Sequence, residues 1–215
     1  MTKQKNSTIK YLLYGCVFTA LLSCNNAEKK SDNTSIPVEK VETSDTYKIK
    51  ASDTKIDWTA YKFTERVGVS GTFDDFYVAP KTTTGTIGTI LLNAKVSINA
   101  MSVNSGNDIR DPKLKESFFE VFHTNLITGE ILKTNQDEGV LELTMNNKTN
   151  EIPFKYTLKT DTIFMDTTID LEKWDGEEAI TSLNKVCYDL HKGTDGISKL
   201  WPDVKVTIKL PVAKQ

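Results

Sequence analysis

Two residues that could do chemistry, Cys187 and His191, lie four positions apart in a segment with helical periodicity. That spacing would place a thiol and an imidazole on one face of a helix, as a metal pair or an activated nucleophile requires. A metal site would need further ligands, and His123 is the only other histidine in the chain. A free cysteine more often behaves as a small buried apolar residue, and a histidine near the end of a helix suits the helix dipole. We therefore interpret Cys187 as a core residue and predict no catalytic site, metal or cofactor.

Arg110 is the charged residue with the clearest functional alternative. Its neighbours Asp108 and Asp111 could form a local ion pair with it, which would stabilise the fold little if exposed. If Arg110 instead lies at the opening of a cavity, its guanidinium could bind an anionic headgroup such as a phosphate. The carboxylate pairs Asp74–Asp75 and Glu177–Glu178 fit turn or helix-cap roles. The sequence has no glycine-rich phosphate loop and no serine nucleophile motif.

Phe118, Phe119 and Phe122 form an aromatic cluster at the end of a polar, turn-rich stretch that begins at Asn104. Asp108 could cap a short helical turn within this stretch. Two interpretations stay open. The stretch is either a surface connection whose phenylalanines plug one end of a β-core, or a lid over a cavity with its aromatic rings facing an apolar ligand.

Residues 1–23 have the organisation of a secretory signal peptide, with a lysine-containing start and an apolar run, Tyr11–Leu22, that is too short to span a bilayer. The run ends in Leu21-Leu22-Ser23-Cys24, which resembles the lipobox of bacterial lipoproteins. The resemblance implies cleavage before Cys24 and lipidation of that cysteine, which would attach the protein to a membrane of the cell envelope. Asn25 follows the cysteine, rather than the aspartate that marks inner-membrane retention in enteric bacteria, so the resemblance implies the outer membrane.

Removal of residues 1–23 changes the formal net charge from −2 to −5, because the segment holds three lysines and no acidic residue. A mildly acidic exported domain does not suit nucleic acid, which requires a basic surface. Cys187 would be the only free thiol left, so the mature protein can form no intramolecular disulfide. Residues 24–46 are polar and lack aromatic residues, which predicts a flexible tether. The folded domain then comprises residues 47–215.

From Tyr47 onward the sequence alternates apolar and polar residues as antiparallel strands do. Gly68 and Gly71 within this pattern predict a bulge or a sharp bend, as the corners of a barrel need. In the longest run, even-numbered apolar residues from Ile90 to Ile98 are predicted to share one face. The predicted strand-like runs are Tyr47–Phe63, Val67–Phe73, Thr86–Asn99, Thr124–Lys133, Gly139–Met145, Ile152–Lys159, Asp161–Leu171 and Val204–Val212.

One segment is predicted to be a helix. Asp175 with Glu178 three residues later has capping-box spacing, and Gly193 could supply a left-handed stop. The apolar residues between them recur at helical intervals, namely Ile180, Leu183, Val186, Cys187 and Leu190. Many antiparallel strands with one late helix predict an all-β fold closed into a barrel, because closure removes exposed strand edges.

Three passages, taken in order, resemble the YceI-like family of polyisoprenoid-binding, lipocalin-like proteins, in the lipoprotein form common in Bacteroidetes. They are Trp58-Thr59-Ala60 with Val69–Phe73, Asp108–Asp111 with Phe118-Phe119, and Leu183–His191. The resemblance implies a closed antiparallel β-barrel of about eight strands, a size that can hold one ligand. It further implies a long apolar pore that binds an apolar lipid, such as a polyisoprenoid or an isoprenoid quinone, without catalysis. Many members have a histidine in the first strand, where this chain has Lys62–Glu65.

We expect the ligand to contact the inward faces of the strands and the mouth of the pore. An interior of this kind should be almost wholly apolar, because unpaired polar groups inside it would be costly. The candidate residues are Trp58, Phe73, Ile90, Leu92, Val96, Ile98, Arg110, Phe118, Phe119, Phe122, Leu141, Leu143, Phe154, Tyr156 and Leu158. Two alternatives to a lipid carrier stay open: an enzyme that modifies a lipid through Cys187 and His191, and a surface interaction protein with a solid barrel.

Overall fold

Twelve strands form one antiparallel sheet in the computed structural model of the protein, which describes residues 45–215. The predicted signal peptide, Cys24 and the predicted tether as far as residue 44 lie outside the described residues. Within residues 45–215 no helix has the length and apolar character needed to cross a membrane. The strands are β1 (Tyr47–Ile49), β2 (Lys55–Lys62), β3 (Val67–Phe73), β4 (Phe76–Ala79), β5 (Thr84–Gly85), β6 (Lys95–Asn99), β7 (Val103–Asn104), β8 (Leu126–Asn135), β9 (Glu138–Met145), β10 (Lys148–Lys159), β11 (Thr162–Asp170) and β12 (Asp203–Lys214).

The sheet closes on itself because β3 continues into β4 and β6 continues into β7, each after a short interruption. Only Asp74 and Asp75 separate β3 from β4, and a 3₁₀ turn, Ala100–Ser102, separates β6 from β7. β4 pairs with β6 and β3 pairs with β7. The ladder therefore runs through β6, β8, β9, β10, β11, β12, β2 and β3 and returns to β7. Counted in this way, and without the short β1 and β5, the barrel has eight strands, which confirms the predicted antiparallel, lipocalin-like fold.

Alternate side chains of each strand point into the barrel, as period-two patterning requires. On β9, Leu141, Leu143 and Met145 are buried, whereas Glu142 and Thr144 between them are half-buried. The same alternation holds along β10 and along the first half of β11, where Lys155–Lys159 pair with Thr162–Asp166. The interior of the barrel is therefore built from one face of every strand.

The structure contradicts the prediction of one long strand from Thr86 to Asn99. Residues Ile87–Leu91 form a helix, α1, whose first turn is capped by the Thr86 hydroxyl, which accepts a hydrogen bond of 3.3 Å from the Thr89 N–H. Ile90 and Leu91 are both buried, although they are adjacent and could not share one face of a strand. The apolar residues of this run fit helical spacing as well as alternation, and the helical pattern is the one that forms.

Two further helices complete the fold, and the capping prediction for the second is wrong. These are α2 (Arg110–Leu114), which continues into a π-helix (Lys115–Phe119), and α3 (Glu177–Val186). Gly176, not Asp175, precedes the first turn of α3; Asp175 has a left-handed backbone and forms an ion pair with Lys148. The helix ends at Val186, well before Gly193, and a 3₁₀ turn of residues 188–191 follows.

We call one end of the barrel the helical end, because α2, the π-helix and α3 pack together there. The turn of residues 63–66 between β2 and β3 and the segment of residues 187–202 after α3 lie at the same end. Asn107 caps the turn that leads into α2, since its side-chain oxygen accepts hydrogen bonds from the N–H groups of Ile109 and Arg110 at 3.1 and 2.9 Å. The predicted cap at Asp108 is therefore wrong by one residue. The barrel thus has a helical layer at one end and α1 and β1 at the other.

Candidate ligand-binding site

An apolar cavity occupies the helical end of the barrel. The volume of this cavity is about 170 Å³. The strands contribute Ile56, Trp58, Ala60, Tyr61, Phe73, Val96, Ile98, Val103, Ile127, Leu141, Leu143, Met145, Phe154, Met165, Thr167, Ile169, Val204, Val206 and Ile208. The helices and loops contribute Leu114, Phe118, Phe119, Phe122, Leu171, Ile180, Leu183, Leu200 and Trp201.

Three polar side chains of this lining are already hydrogen-bonded to backbone carbonyls. The Thr167 hydroxyl donates to the Pro153 carbonyl at 2.7 Å. The indole N–H of Trp58 donates to the Thr72 carbonyl at 3.1 Å, and that of Trp201 donates to the Phe63 carbonyl at 2.7 Å. The cavity consequently presents hydrocarbon and aromatic surface to its contents, and a ligand that needs internal hydrogen bonds would find almost no partners.

The aromatic cluster forms part of the cover over the cavity. The ring centres of Phe118 and Phe119 lie 5.1 Å apart in an edge-to-face arrangement, and the ring centre of Phe118 lies 5.5 Å from that of Phe122. The ring centre of Phe119 also lies 6.1 Å from that of Phe73 on β3. The π-helix carries Phe118 and Phe119, and Phe122 lies in the turn that follows it. The wider turn of the π-helix is closed by the bond from the Glu120 N–H to the Lys115 carbonyl. The connection therefore plugs one end of the core and also lines the cavity, so the two open interpretations describe one structure.

The opposite end of the barrel is solid, and it holds the apolar predicted site residues that do not line the cavity. Ile90 is buried in α1, and Tyr156 and Leu158 lie on β10 beyond the cavity, paired with Met165 and Ile163 of β11. Leu92 follows α1 and is 37% exposed, because the predicted strand face does not exist there. The other apolar candidates, which run from Trp58 to Phe154, all line the cavity.

Arg110 lies at the first position of α2 and is not part of the cavity lining. Within residues 45–215 it forms no ion pair, so the expected local bridge to Asp108 or Asp111 is absent from the described structure. Asp111 instead accepts a hydrogen bond of 2.9 Å from the Ser105 N–H. Arg110 is half-buried, and its backbone N–H bonds to Asn107.

Gly71 pairs with Trp58 across β2 and β3 and leaves room for the indole ring. A Cβ atom at position 71 would lie 2.5 Å from the Asn104 carbonyl oxygen and would also overlap the Trp58 indole. The pairing of β2 with β3 continues without a register shift past Gly68 and Gly71. The predicted bulge is therefore wrong, and the glycine serves close approach instead.

Sequence reasoning missed much of the wall opposite β9. Val204, Val206 and Ile208 of β12 line the cavity, and their alternation was visible in the sequence. Leu200 and Trp201 belong to the segment after α3, which carries no period that could have revealed them. Their place at the mouth follows from long-range pairing, such as the bridge between Lys62 and Leu200.

Cys187 ends α3 as a buried residue and is 6% exposed. Cys187→Ala should lower the free energy of unfolding by about 1 kcal/mol, because it leaves only a small void, and should leave lipid binding unchanged. Thiol labelling by a bulky disulfide reagent, with Cys16 and Cys24 replaced by serine, should be slow in the native protein and fast in urea. Fast labelling of the native protein would contradict burial.

His191 is half-buried, and its Nδ1 lies 3.0 Å from the side-chain oxygen of Asn184. Burial lowers the pKa of His191 from 6.5 to about 4, and the positive charges of Lys62 and Lys113 add to this effect. The folded protein therefore keeps this imidazole neutral under conditions in which the unfolded chain would protonate it.

This pKa shift predicts a loss of stability in acid. Between pH 6.5 and pH 4 the unfolded chain binds the proton first, so the stabilisation is complete above pH 6.5 and is lost as the pH falls toward 4. We expect a contribution of about 1–2 kcal/mol, below the full value of the shift because the ring is partly exposed. Urea unfolding at pH 7.5 and pH 4 measures it. His191→Gln should lose less stability than the wild type over this interval, and equal losses would refute the assignment.

Comparison with known proteins identifies the fold family. The model of the YceI-like domain matches residues 47–212. A polyisoprenoid-binding domain from Saccharophagus degradans is 15% identical with a TM-score of 0.54, and the alignment covers 79% of this chain and 98% of that domain. BcnA from Burkholderia cenocepacia is 15% identical with a TM-score of 0.52, with coverage of 77% and 99%.

A variant of the Campylobacter jejuni YceI protein is 16% identical with a TM-score of 0.51, with coverage of 72% of this chain and 89% of that one. No curated protein sequence gives a significant match. The family match spans nearly the whole described structure, and the solved structures share its barrel. The chain therefore belongs to the YceI-like domain family.

Proposed function

We propose that this protein binds a long apolar lipid inside its barrel and acts as a carrier or sequestering module. The observation that carries the proposal is the apolar cavity at the helical end, in which the polar groups of Trp58, Thr167 and Trp201 are hydrogen-bonded to backbone carbonyls. Such a cavity favours hydrocarbon over a sugar or a nucleotide. A similar barrel, from Saccharophagus degradans, is described as a polyisoprenoid-binding domain, which supports a polyisoprenoid or an isoprenoid quinone as the ligand.

The two alternatives receive less support. Cys187 is buried and is not part of the cavity lining, and His191 is hydrogen-bonded to Asn184, so the pair does not present a nucleophile and a base to a lipid in the cavity. A surface interaction protein with a solid barrel disagrees with the open space at the helical end. Binding rather than catalysis therefore accounts best for the site.

The proposal is tested by extraction of the purified protein with organic solvent and identification of the extract by mass spectrometry. We expect one class of apolar lipid at close to one molecule per protein. Protein stripped of lipid should take up added polyisoprenol in the same proportion. An empty extract together with no uptake of added lipid would refute lipid binding.

We also propose that Cys24 anchors the protein to the outer membrane. The supporting observation is Leu21-Leu22-Ser23-Cys24 at the end of a short apolar run, followed by Asn25. A single acyl chain binds a membrane only marginally, so a stable anchor needs more than one. Cells grown with labelled fatty acid should incorporate label into the wild-type protein and none into Cys24→Ala. Label retained by that variant, or wild-type protein recovered with the inner membrane, would argue against the proposal.

A further inference from the structure

Large apolar side chains are exposed at the helical end, next to the cavity. Val186, Tyr188, Leu190 and Ile197 lie within one stretch of the chain, and each is between 51 and 57% exposed. Single exposed apolar residues are ordinary in proteins, whereas a cluster of them marks a surface that contacts another molecule or a membrane. We call these four side chains the exposed apolar patch.

Hydrogen bonds within the segment hold the members of the patch close together. The Ser198 hydroxyl donates to the Tyr188 carbonyl at 2.9 Å, and the Lys199 N–H donates to the His191 carbonyl at 3.0 Å. These bonds bring Ile197 back beside the 3₁₀ turn that carries two other members of the patch. The patch is therefore a folded feature of this end of the barrel.

The patch adjoins the mouth of the cavity. The chain enters the patch from Leu183 and leaves it at Leu200, and both of these residues line the cavity. Lys62 of β2 fastens the patch to the barrel, since its ammonium group donates a hydrogen bond of 3.0 Å to the Leu190 carbonyl. The apolar surface outside the barrel therefore lies directly beside the apolar surface inside it.

The patch belongs to a part of the acidic domain that carries no net charge. In residues 186–200 the two lysines, Lys192 and Lys199, balance Asp189 and Asp195. The formal charge of −5 of residues 24–215 therefore lies entirely elsewhere. A membrane surface with anionic lipids repels such a domain least at a neutral face, and exposed apolar side chains on that face can enter the interface.

The proposed anchor at Cys24 allows the patch to reach a membrane. Tyr47 of β1 pairs with Lys214 at the end of β12, so the described chain begins at the end of the barrel opposite the patch. The 12 residues of β12 span about 40 Å. The chain from Cys24 to residue 45 can span about 70 Å when fully extended, which exceeds the length of the barrel.

We propose that the exposed apolar patch docks the helical end on a lipid bilayer, where lipid passes directly between the bilayer and the cavity. The partner is a bilayer rather than another protein because the patch adjoins a cavity whose lining suits a component of the bilayer. Docking spares the lipid chain the contact with water that release into solution requires. The transfer of lipid rests on the proposed function, whereas docking is measured without it.

The test uses the mature chain, residues 24–215, with Cys24→Ser so that no acyl chain is attached. This parent chain contains every described residue. It is incubated with phosphatidylcholine vesicles and separated by flotation, and we expect it to float with the vesicles. The same preparation is then used to measure the rate at which labelled polyisoprenol passes from donor to acceptor vesicles.

The patch variant carries Tyr188→Ser, Leu190→Ser and Ile197→Ser in one chain. It should lose at least about tenfold in both vesicle affinity and transfer rate, because three apolar side chains no longer enter the interface. It should keep the urea midpoint of the parent chain and its uptake of polyisoprenol from detergent solution, since the three side chains are exposed and do not line the cavity.

The control variant carries Tyr77→Ser, Leu92→Ser and Leu126→Ser in one chain. It removes the same number of large apolar side chains from exposed sites outside the patch. It should float and transfer polyisoprenol as the parent chain does. Equal losses in the two triple variants would show that general surface hydrophobicity, rather than the patch, binds the vesicles, and would overturn the inference.

The remaining outcomes separate docking from the proposed function. If the parent chain takes up polyisoprenol but does not float, or if the patch variant floats as the parent does, docking is wrong and lipid binding stands. If the parent chain floats but takes up no polyisoprenol, the proposed function fails and docking stands. If the parent chain does not float and is a dimer that the patch variant cannot form, the patch binds a second copy and docking on a bilayer is wrong.

Discussion

Leu143→Trp should exclude lipid from the cavity while the barrel stays folded. Leu143 lies on β9, is 4% exposed and lines the cavity, so the larger indole has only the ligand space to enter. Lipid recovered per mole of protein should fall at least about tenfold, and overpacking should cost about 1–3 kcal/mol of stability. Mass spectrometry of solvent extracts measures the first quantity and urea unfolding measures the second.

Leu92→Trp is the matched control for this experiment. The substitution is chemically identical, but Leu92 is 37% exposed beyond α1 and lies outside the cavity. This variant should retain wild-type amounts of lipid. If Leu143→Trp also retains them while it is folded, the ligand does not occupy the cavity at the helical end.

Gly71→Ala should give a large loss of stability. The added methyl group would overlap the Trp58 indole and the Asn104 carbonyl, which belongs to the strand that closes the barrel. A backbone oxygen cannot move aside as a side chain can, so we expect a cost of about 3 kcal/mol or more, at the upper end for overpacking. Thermal or urea unfolding measures the cost, and loss of native tryptophan fluorescence would accompany it.

Gly68→Ala provides the comparison within the same strand. A Cβ atom at position 68 would meet only the Thr59 methyl group at 3.1 Å and the Tyr61 ring at 3.8 Å, both of them side-chain atoms near the surface. We expect less than about 1 kcal/mol of destabilisation for this exposed site. Equal effects of the two substitutions would show that general strand propensity, rather than closure at Gly71, determines the loss.

The sequence predicted the barrel because most strands bury one face and expose the other. Leu141, Leu143 and Met145 against Glu142 and Thr144 leave one possible register, since a shift by one residue would expose the whole apolar set. The prediction of a strand from Thr86 to Asn99 failed because the apolar residues at its start fit both the two-residue period of a strand and the period of a helix. Apolar residues at helical spacing formed α1, and only the Thr86 cap and the left-handed Asn93 mark its ends.

The site was predictable only in part, because an inward apolar residue has the same sequence signature in a cavity and in a solid core. Phe154 lines the cavity and Tyr156, two residues along the same strand, does not. Phe154 and Tyr156 differ because α1 and β1 fill the end of the barrel opposite the helical end as far as Tyr156. This filling depends on parts of the chain that are distant in sequence from β10.

The pairing of β12 determines when this protein can finish folding. β12 lies between β11 and β2, so Val206 pairs with Thr167 of β11 and also with Trp58 of β2, near the other end of the described chain. While the ribosome is still producing the chain, β2 and β11 each have an unpaired edge, and such edges invite pairing with other chains. Pairing between strands as far apart in sequence as β2 and β12 is slow compared with the formation of a local hairpin. The barrel therefore cannot close until β12 has been synthesised. Until then, the unpaired edges of β2 and β11 are exposed to pairing with other chains.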